Sequence, residues 1–297
     1  MIPAPFEYLR AGSLDEALGL LAASEGETRP IAGGQSLLPL MKLRLARPER
    51  LVDIGRLGEL RGVRCLPDGR LAVGALTTWS ELLADGRVMA YGVLRDAIPT
   101  IGDVAIRNRG TIGGSLAHAD PAADIAAPSL ALDAELVVRS TAGERIVPAT
   151  ELFVGPFTTS LRPAEVITEV RLPAGLPDVG SAYVAISHPA SGYPSAGAAA
   201  VLGPSRRGSG SWDICCLALT GVGERPYRAT GAEQAVLSGA SFADAVASIA
   251  AGQRLLVDPY ADRAYRAAMA SLVARRALEL AARRAAGQAA EAAPDPV

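Results

Sequence analysis

Aromatic residues are scarce in this chain, 4% of 297 residues, so its core has to be assembled from Ala, Val, Leu and Ile. Cysteine is rarer still. Cys65, Cys215 and Cys216 are too few for a disulfide framework or for a four-thiolate zinc or iron–sulfur site. Cys215 and Cys216 sit side by side on what reads as a strand, where neighbours point to opposite faces, so buried free thiols in a reducing cytosol are expected. A basic excess is missing too. The net charge is -2 and the isoelectric point is near 5.8, which argues against a nucleic-acid binder. No apolar run approaches the ~20 residues that span a bilayer. The start, Met1-Ile2-Pro3-Ala4-Pro5-Phe6, has neither a basic n-region nor an apolar h-region, so no secretory signal is expected. Rossmann and P-loop glycine patterns are absent, as is any Ser–His–Asp or metal-binding constellation.

What is present is ordinary for a soluble globular protein: 49% hydrophobic and 20% charged residues. The length allows two or three modest domains. Residues 1–55 read as a small α/β unit. Ser13-Leu14-Asp15-Glu16 is a capping box, and Leu14, Ala17, Leu18 and Leu21 recur at helical spacing. A short strand, a glycine loop and a second strand at Leu51-Val52-Asp53-Ile54 follow. Residues 56–175 mix hairpins with helices. Pro67-Asp68-Gly69 and Ala142-Gly143 mark the turns, Thr78-Trp79-Ser80-Glu81 is a second capping box, and Glu165 to Leu172 reads as a closing strand. This order points to an α+β arrangement, not a doubly wound sheet. The junction Pro173-Ala174-Gly175-Leu176-Pro177 suggests a boundary. Residues 176–286 then give two apolar strands, Ser195 to Leu202 and Trp212 to Thr220, and a long helix. That helix is expected to start at the N-cap Asp258 with Pro259 behind it and to face Tyr265, Met269, Leu272, Val273 and Leu280 inward. Arg275, Arg276, Arg283 and Arg284 read as its solvated face. Residues 287–297 read as a frayed tail. Trp79 and Trp212 read as core anchors, His118 as a hydrogen-bonded structural residue, and His188 as a turn residue before Pro189.

Two loops place glycines, a hydroxyl and small apolar residues between regular elements. The first is Ala32-Gly33-Gly34-Gln35-Ser36; the second runs from Gly110 and Thr111 through Gly113, Gly114, Ser115, Ala117 and His118 to Asp120 and Asp124. Paired glycines let the backbone come close to a ligand, and successive N–H groups can converge on an anion such as a pyrophosphate. Ser36, Thr111 and Ser115 can add hydroxyls, and Asp120 or Asp124 would suit a ribose hydroxyl. The residues alone reach a phosphate-bearing ligand and stop there.

The motifs name the ligand by resemblance. Ala32-Gly33-Gly34-Gln35-Ser36-Leu37-Leu38-Pro39 and Arg107-Asn108-Arg109-Gly110-Thr111-Ile112-Gly113-Gly114-Ser115-Leu116-Ala117-His118-Ala119-Asp120-Pro121 are similar to the FAD-binding medium subunits of carbon monoxide dehydrogenases, relatives of the xanthine dehydrogenase flavin domain. His188-Pro189-Ala190-Ser191-Gly192-Tyr193 and Ala264-Tyr265-Arg266 extend the match. The resemblance implies a vanillyl-alcohol-oxidase-like (PCMH-type) FAD domain in two α/β subdomains plus a C-terminal α+β domain. It implies that Ala32, Gly33, Gly34, Gln35 and Ser36 with Thr111, Gly113, Gly114 and Ser115 hold the FAD pyrophosphate through backbone amides. Ala117 and Asp124 would lie along the dinucleotide, and Leu161 and Tyr193 beside the isoalloxazine. Gln35 stands where covalent relatives have His, so FAD is expected to be non-covalent, and Ala185 stands where a Lys is common.

The same resemblance implies partners. A large subunit with the molybdenum cofactor would oxidise the substrate, and a small subunit with two 2Fe–2S clusters would relay electrons. This subunit would pass them through FAD to an external acceptor, a quinone or another, in a cytoplasmic dimer of heterotrimers. Any link to the inner membrane face would run through partners. No catalytic side chain and no metal ligand is assigned to this chain. Carbon monoxide, purines, aldehydes and N-heterocycles stay open as substrates. Two other readings stay open: a stand-alone FAD oxidoreductase, for which no proton donor stands out, and a scaffold that has lost FAD, against which the glycine loops are intact.

Overall fold

The Ser13 hydroxyl accepts from the Glu16 amide at 3.2 Å and starts a helix over Leu14–Ala22. Glu16 does not close the expected box on Ser13; its carboxylate accepts from the Gly12 amide at 2.7 Å. Leu14, Ala17, Leu18 and Leu21 are buried, and they pack on the parallel strands β1 (Glu7–Arg10), β2 (Thr28–Ile31) and β3 (Arg50–Asp53), ordered β1-β3-β2. Parallel sheets present ligand loops at their carboxyl ends. β2 ends at Ile31, and the first glycine loop leaves from there. The computed structural model describes residues 2–23, 27–175, 178–205 and 211–288.

The second unit contains both expected hairpins, β4 (Val63–Cys65) with β5 (Leu71–Gly74) and β6 (Glu135–Ser140) with β7 (Gly143–Pro148). A small pair, β8 (Phe153–Gly155) and β9 (Thr158–Thr159), follows. β10 (Val166–Leu172) does not close the unit at an edge. It lies in the middle of an antiparallel sheet ordered β4-β5-β10-β6-β7. Burial explains this, because Val166, Ile167, Val170 and Leu172 are all buried and only a central strand covers both faces of such a run.

The third unit is a four-stranded antiparallel sheet of β11 (Gly180–Ser187), β12 (Pro194–Pro204), β13 (Trp212–Thr220) and β14 (Tyr227–Arg228). Its faces follow the strand period of two. Ala182, Val184, Ala198, Ala200, Leu217 and Leu219 join one core with the long helix, while Tyr183, Ala199, Val201 and Ala218 join the core of the second unit. Cys215 and Cys216 obey the same rule and sit in different cores. Burial pushes their thiols up to about 12 and about 11, so neither is a thiolate at neutral pH. The largest fully buried side chains are Leu, Ile and Met, as the scarcity of aromatics requires.

The long helix runs over Arg263–Ala285, and Asp262, not Asp258, caps it. Asp258 forms a separate turn, accepting from the Tyr260 amide at 2.9 Å and the Ala261 amide at 3.0 Å. Either aspartate can satisfy free amides, so the sequence does not say which one starts the helix. The inward face is built from Ala270, Val273, Ala274, Ala277, Leu278 and Ala281 with Leu280. Tyr265 is exposed, and Met269 and Leu272 are only half-buried, because small side chains let the helix lie close on the sheet. Trp79 is buried, whereas Trp212 is half-buried. The tail from residue 289 lies outside the described residues.

Arg275, Arg276 and Arg283 are exposed as expected, but Arg284 turns inward. Its guanidinium meets Asp96, on the helix Gly92–Ala97 of the second unit, at 2.6 and 2.9 Å and donates to the Ser181 carbonyl at 2.7 Å. Both side chains are nearly buried, 10% and 13% exposed. Breaking a buried pair leaves an uncompensated charge, costing about 3–5 kcal/mol. Arg284→Ala should therefore lower the denaturation midpoint by an amount equivalent to about 3 kcal/mol; a loss comparable to that of Arg283→Ala would refute this role.

Candidate functional site

The two glycine loops meet. A Cβ built on Gly33 would overlap the Arg109 carbonyl oxygen outright and lie 2.7 Å from the Arg109 carbonyl carbon and 3.0 Å from Gly110 Cα. Only a residue without a side chain permits that approach. On the other side of the contact, a Cβ on Gly114 would face Ala32 Cβ at 3.8 Å.

Within the first loop Gly34 has a positive φ of 75°, and the chain turns straight into the helix Leu37–Lys42. The amides of Gly33, Gly34, Gln35, Ser36 and Leu37 have no acceptor among the described residues. Gln35 folds back, its Nε2 donating to the Gly33 carbonyl at 3.4 Å. This loop therefore presents a row of donors, as an anion requires.

The second loop differs from expectation. Thr111 caps the helix Ile112–His118, its hydroxyl accepting from the Gly114 amide. The Ile112 amide donates to the Thr77 carbonyl at 3.2 Å, the Gly113 amide to Ala75 at 2.9 Å and the Ser115 amide to Thr111 at 3.0 Å. These amides are spent on fixing the loop. Gly113 is buried against Ala75, whereas Gly114 and Ala117 are exposed. What the second loop offers a ligand is the Thr111 and Ser115 hydroxyls and a surface free of Cβ atoms.

A cleft of about 540 Å³ opens from this contact, within the usual range for a ligand site. Ala32, Gly33, Gly34, Gln35, Ser36, Thr111, Gly113, Gly114, Ser115, Ala117, Asp124, Leu161 and Tyr193 all line it. Asp120 lines it too, with one oxygen accepting from the Ala122 amide at 2.9 Å. Asp124 is buried, and Oδ1 lies 2.9 Å from the Tyr183 hydroxyl and 3.1 Å from that of Thr100. Burial pushes its carboxyl up to about 6, against the hydrogen bond from Tyr183, which favours the ionised form. The half-exposed Tyr193 ends a turn that His188 organises: Nδ1 accepts from the Ala190 amide at 3.3 Å and the Ser191 amide at 3.1 Å. His188 is thus the turn residue that its place before Pro189 suggested.

His118 also lines the cleft, and it is not the hydrogen-bonded residue expected. Among the described residues its ring makes no hydrogen bond; it packs against Phe157 with centroids 5.2 Å apart. Burial lowers its pKa, opposed by Asp120. Phe157 escaped the sequence reading. It has a positive φ of 50°, as does Ala119 at 51°, and the Phe157 amide donates to the Ala119 carbonyl at 3.0 Å. The turn dipeptide Gly155-Pro156 just before it was the available signal. Ile101, Gly102 and Ile106 supply further wall that nothing in the sequence singled out.

The cleft is thus donor-rich at the loop contact, carboxylate-bearing at Asp120 and Asp124, and otherwise largely apolar. Such a distribution suits a dinucleotide. Among the described residues no group of His, Cys, Asp and Glu could hold a metal, and no helix is long and apolar enough to cross a membrane.

Residues 4–175 match the family described as the FAD binding domain in molybdopterin dehydrogenase, and residues 181–281 match the CO dehydrogenase flavoprotein C-terminal domain. The chain is 37% identical to the carbon monoxide dehydrogenase medium chain of Hydrogenophaga pseudoflava, over 95% of this chain and 98% of that one. It is also 37% identical to the glyceraldehyde dehydrogenase medium chain of Sulfolobus acidocaldarius, over 88% and 92%. A chain in the structure of quinoline 2-oxidoreductase from Pseudomonas putida 86 superposes with a TM-score of 0.87 at 33% identity, covering 96% of this chain and 99% of that one.

Gly33→Ala should force the loops apart, destabilise the protein by about 1–3 kcal/mol and abolish flavin retention, read as lost visible absorbance after purification. Gly19→Ala is the control. A Cβ there meets nothing within 4 Å, in the helix Leu14–Ala22, so stability should rise by about 0.5–1 kcal/mol. Full flavin occupancy in Gly33→Ala would show that the loop contact is dispensable.

Proposed function

Since the chain belongs to the family of FAD-binding subunits of molybdenum-containing dehydrogenases, we propose that it is the electron-exit subunit of an oxidoreductase complex of the aerobic carbon monoxide dehydrogenase type. The observation that carries this reading is the meeting of the glycine loops, with five amides in succession left free for an anion. That donor set fits a pyrophosphate. When bound, FAD supplies the redox chemistry, and the protein supplies position and electrostatics.

In this proposal Ala32, Gly33, Gly34, Gln35 and Ser36 hold the pyrophosphate through amides, and Thr111 and Ser115 add hydroxyls next to Gly113 and Gly114. Asp124 accepts from a ribose hydroxyl, Ala117 lies along the dinucleotide, and Leu161 and Tyr193 flank the isoalloxazine. Residues 1–55 and 56–175 serve as the two lobes of the FAD-binding domain and 176–286 as the C-terminal domain. A small subunit with 2Fe–2S clusters delivers electrons that a molybdenum subunit has drawn from the substrate, and an external acceptor removes them. The relatives, medium chains of their dehydrogenases, support a complex of this kind. At similar identity these relatives belong to enzymes of carbon monoxide, glyceraldehyde and quinoline. Substrate choice therefore belongs to the large subunit.

The purified chain reconstituted with FAD should show flavin absorbance, and that absorbance should bleach when partner subunits and their substrate are added. Absence of flavin binding overturns the cofactor reading. Retained flavin that the reduced partners never bleach overturns the electron-exit role.

A further inference from the structure

Behind the cleft wall lies a side chain that touches no ligand surface. Tyr183, on β11 of the third unit, is 3% exposed and does not line the cleft. Its hydroxyl lies 2.9 Å from Asp124 Oδ1. We infer that Tyr183 is a positioning residue, which holds the Asp124 carboxylate in the orientation that takes a ribose hydroxyl of the bound dinucleotide. This rests on the proposed place of Asp124 and adds a control from outside the FAD-binding domain.

Hydrogen bonding around Asp124 singles out Tyr183. Thr100 Oγ1 also lies near Asp124 Oδ1, at 3.1 Å, but it is 2.7 Å from the Ala97 carbonyl. A hydroxyl carries one proton, and the shorter bond claims it. Tyr183 has no competing acceptor among the described residues, so its proton goes to Asp124. Both side-chain contacts fall on Oδ1, which leaves Oδ2 for a ligand.

The surrounding structure keeps this hydroxyl in place. A Cβ on Gly197, on β12, would overlap the Tyr183 hydroxyl oxygen and lie 3.1 Å from Cζ, so any larger residue would displace the donor. On β13 the Thr220 hydroxyl lies 2.9 Å from the Pro121 carbonyl and 3.0 Å from that of Ala123, and the Gly221 amide donates to Pro121 at 2.7 Å. The third sheet thus grips the backbone just before Asp124 as well as its side chain. Burial raises the Tyr183 pKa well above the usual tyrosine value, so it stays a donor at every relevant pH. Asp124 titrates at about 6, and losing a donor to its ionised form moves that titration upward.

The test is FAD affinity, measured by titrating apoprotein across the pH range around 6. Tyr183→Phe should weaken binding about three- to tenfold at neutral pH and raise the pH midpoint below which affinity is lost. Asp124→Asn should weaken binding and flatten the pH dependence, and adding Tyr183→Phe to it should cost nothing more. Gly197→Ala, which crowds the same hydroxyl, should reproduce the raised midpoint. Wild-type affinity and pH profile in Tyr183→Phe, or equal losses in both backgrounds, overturns the inference and leaves Asp124 in place. Wild-type affinity in Asp124→Asn, with flavin still bound, instead overturns the placement of Asp124 itself.

Discussion

The site depends on one steric constraint, the backbone of Gly33 lying against the Arg109–Gly110 peptide. The first unit is a small parallel sheet whose β2 delivers a loop with free amides. The second unit supplies a loop whose amides are already bonded to Ala75 and Thr77. Neither loop alone makes a cradle. One is rich in donors and tied down by little else, and the other is rigid and short of free amides. Their contact joins the two properties, and it exists only because Gly33 has no side chain.

The third sheet completes this arrangement from behind. It is covered on one face by its own long helix and on the other by the second unit. The low aromatic content makes this double coverage workable, since the alanines of β12 and of the helix Arg263–Ala285 keep the layers close. The buried Asp96–Arg284 pair then ties the far end of that helix to the second unit.

Most of the regular elements were legible. The hairpins at Pro67-Asp68-Gly69 and Ala142-Gly143, the cap at Ser13, the box at Thr78 and the opposed cysteines follow from local rules. What escaped was set by distant partners. Asp258 and Asp262 offer the same capping chemistry, and Arg284 looks like its exposed neighbours until Asp96 is brought to it. In the cleft, the glycine loops announced themselves through composition. That they touch did not, and neither did the commitment of the second loop's amides or the left-handed backbone that places Phe157 beside His118. Asp124 was visible as a carboxylate, whereas its tyrosine partner lies 59 residues away.

The central position of β10 has a consequence for the making of the protein. β5 and β6 cannot pair through their inner edges until Val166–Leu172 has been synthesised and inserted between them. Until then the nascent chain carries two separate hairpins with unpaired, apolar strand edges, the kind of surface that invites aggregation. Closing a sheet by a late strand relies on contacts far apart in sequence, which slows folding. This part of the cleft wall therefore cannot form before that strand arrives, since the strand also contributes Val166 and Ile167 to the lining. Loading of a cofactor follows release of this region from the ribosome and cannot run ahead of it.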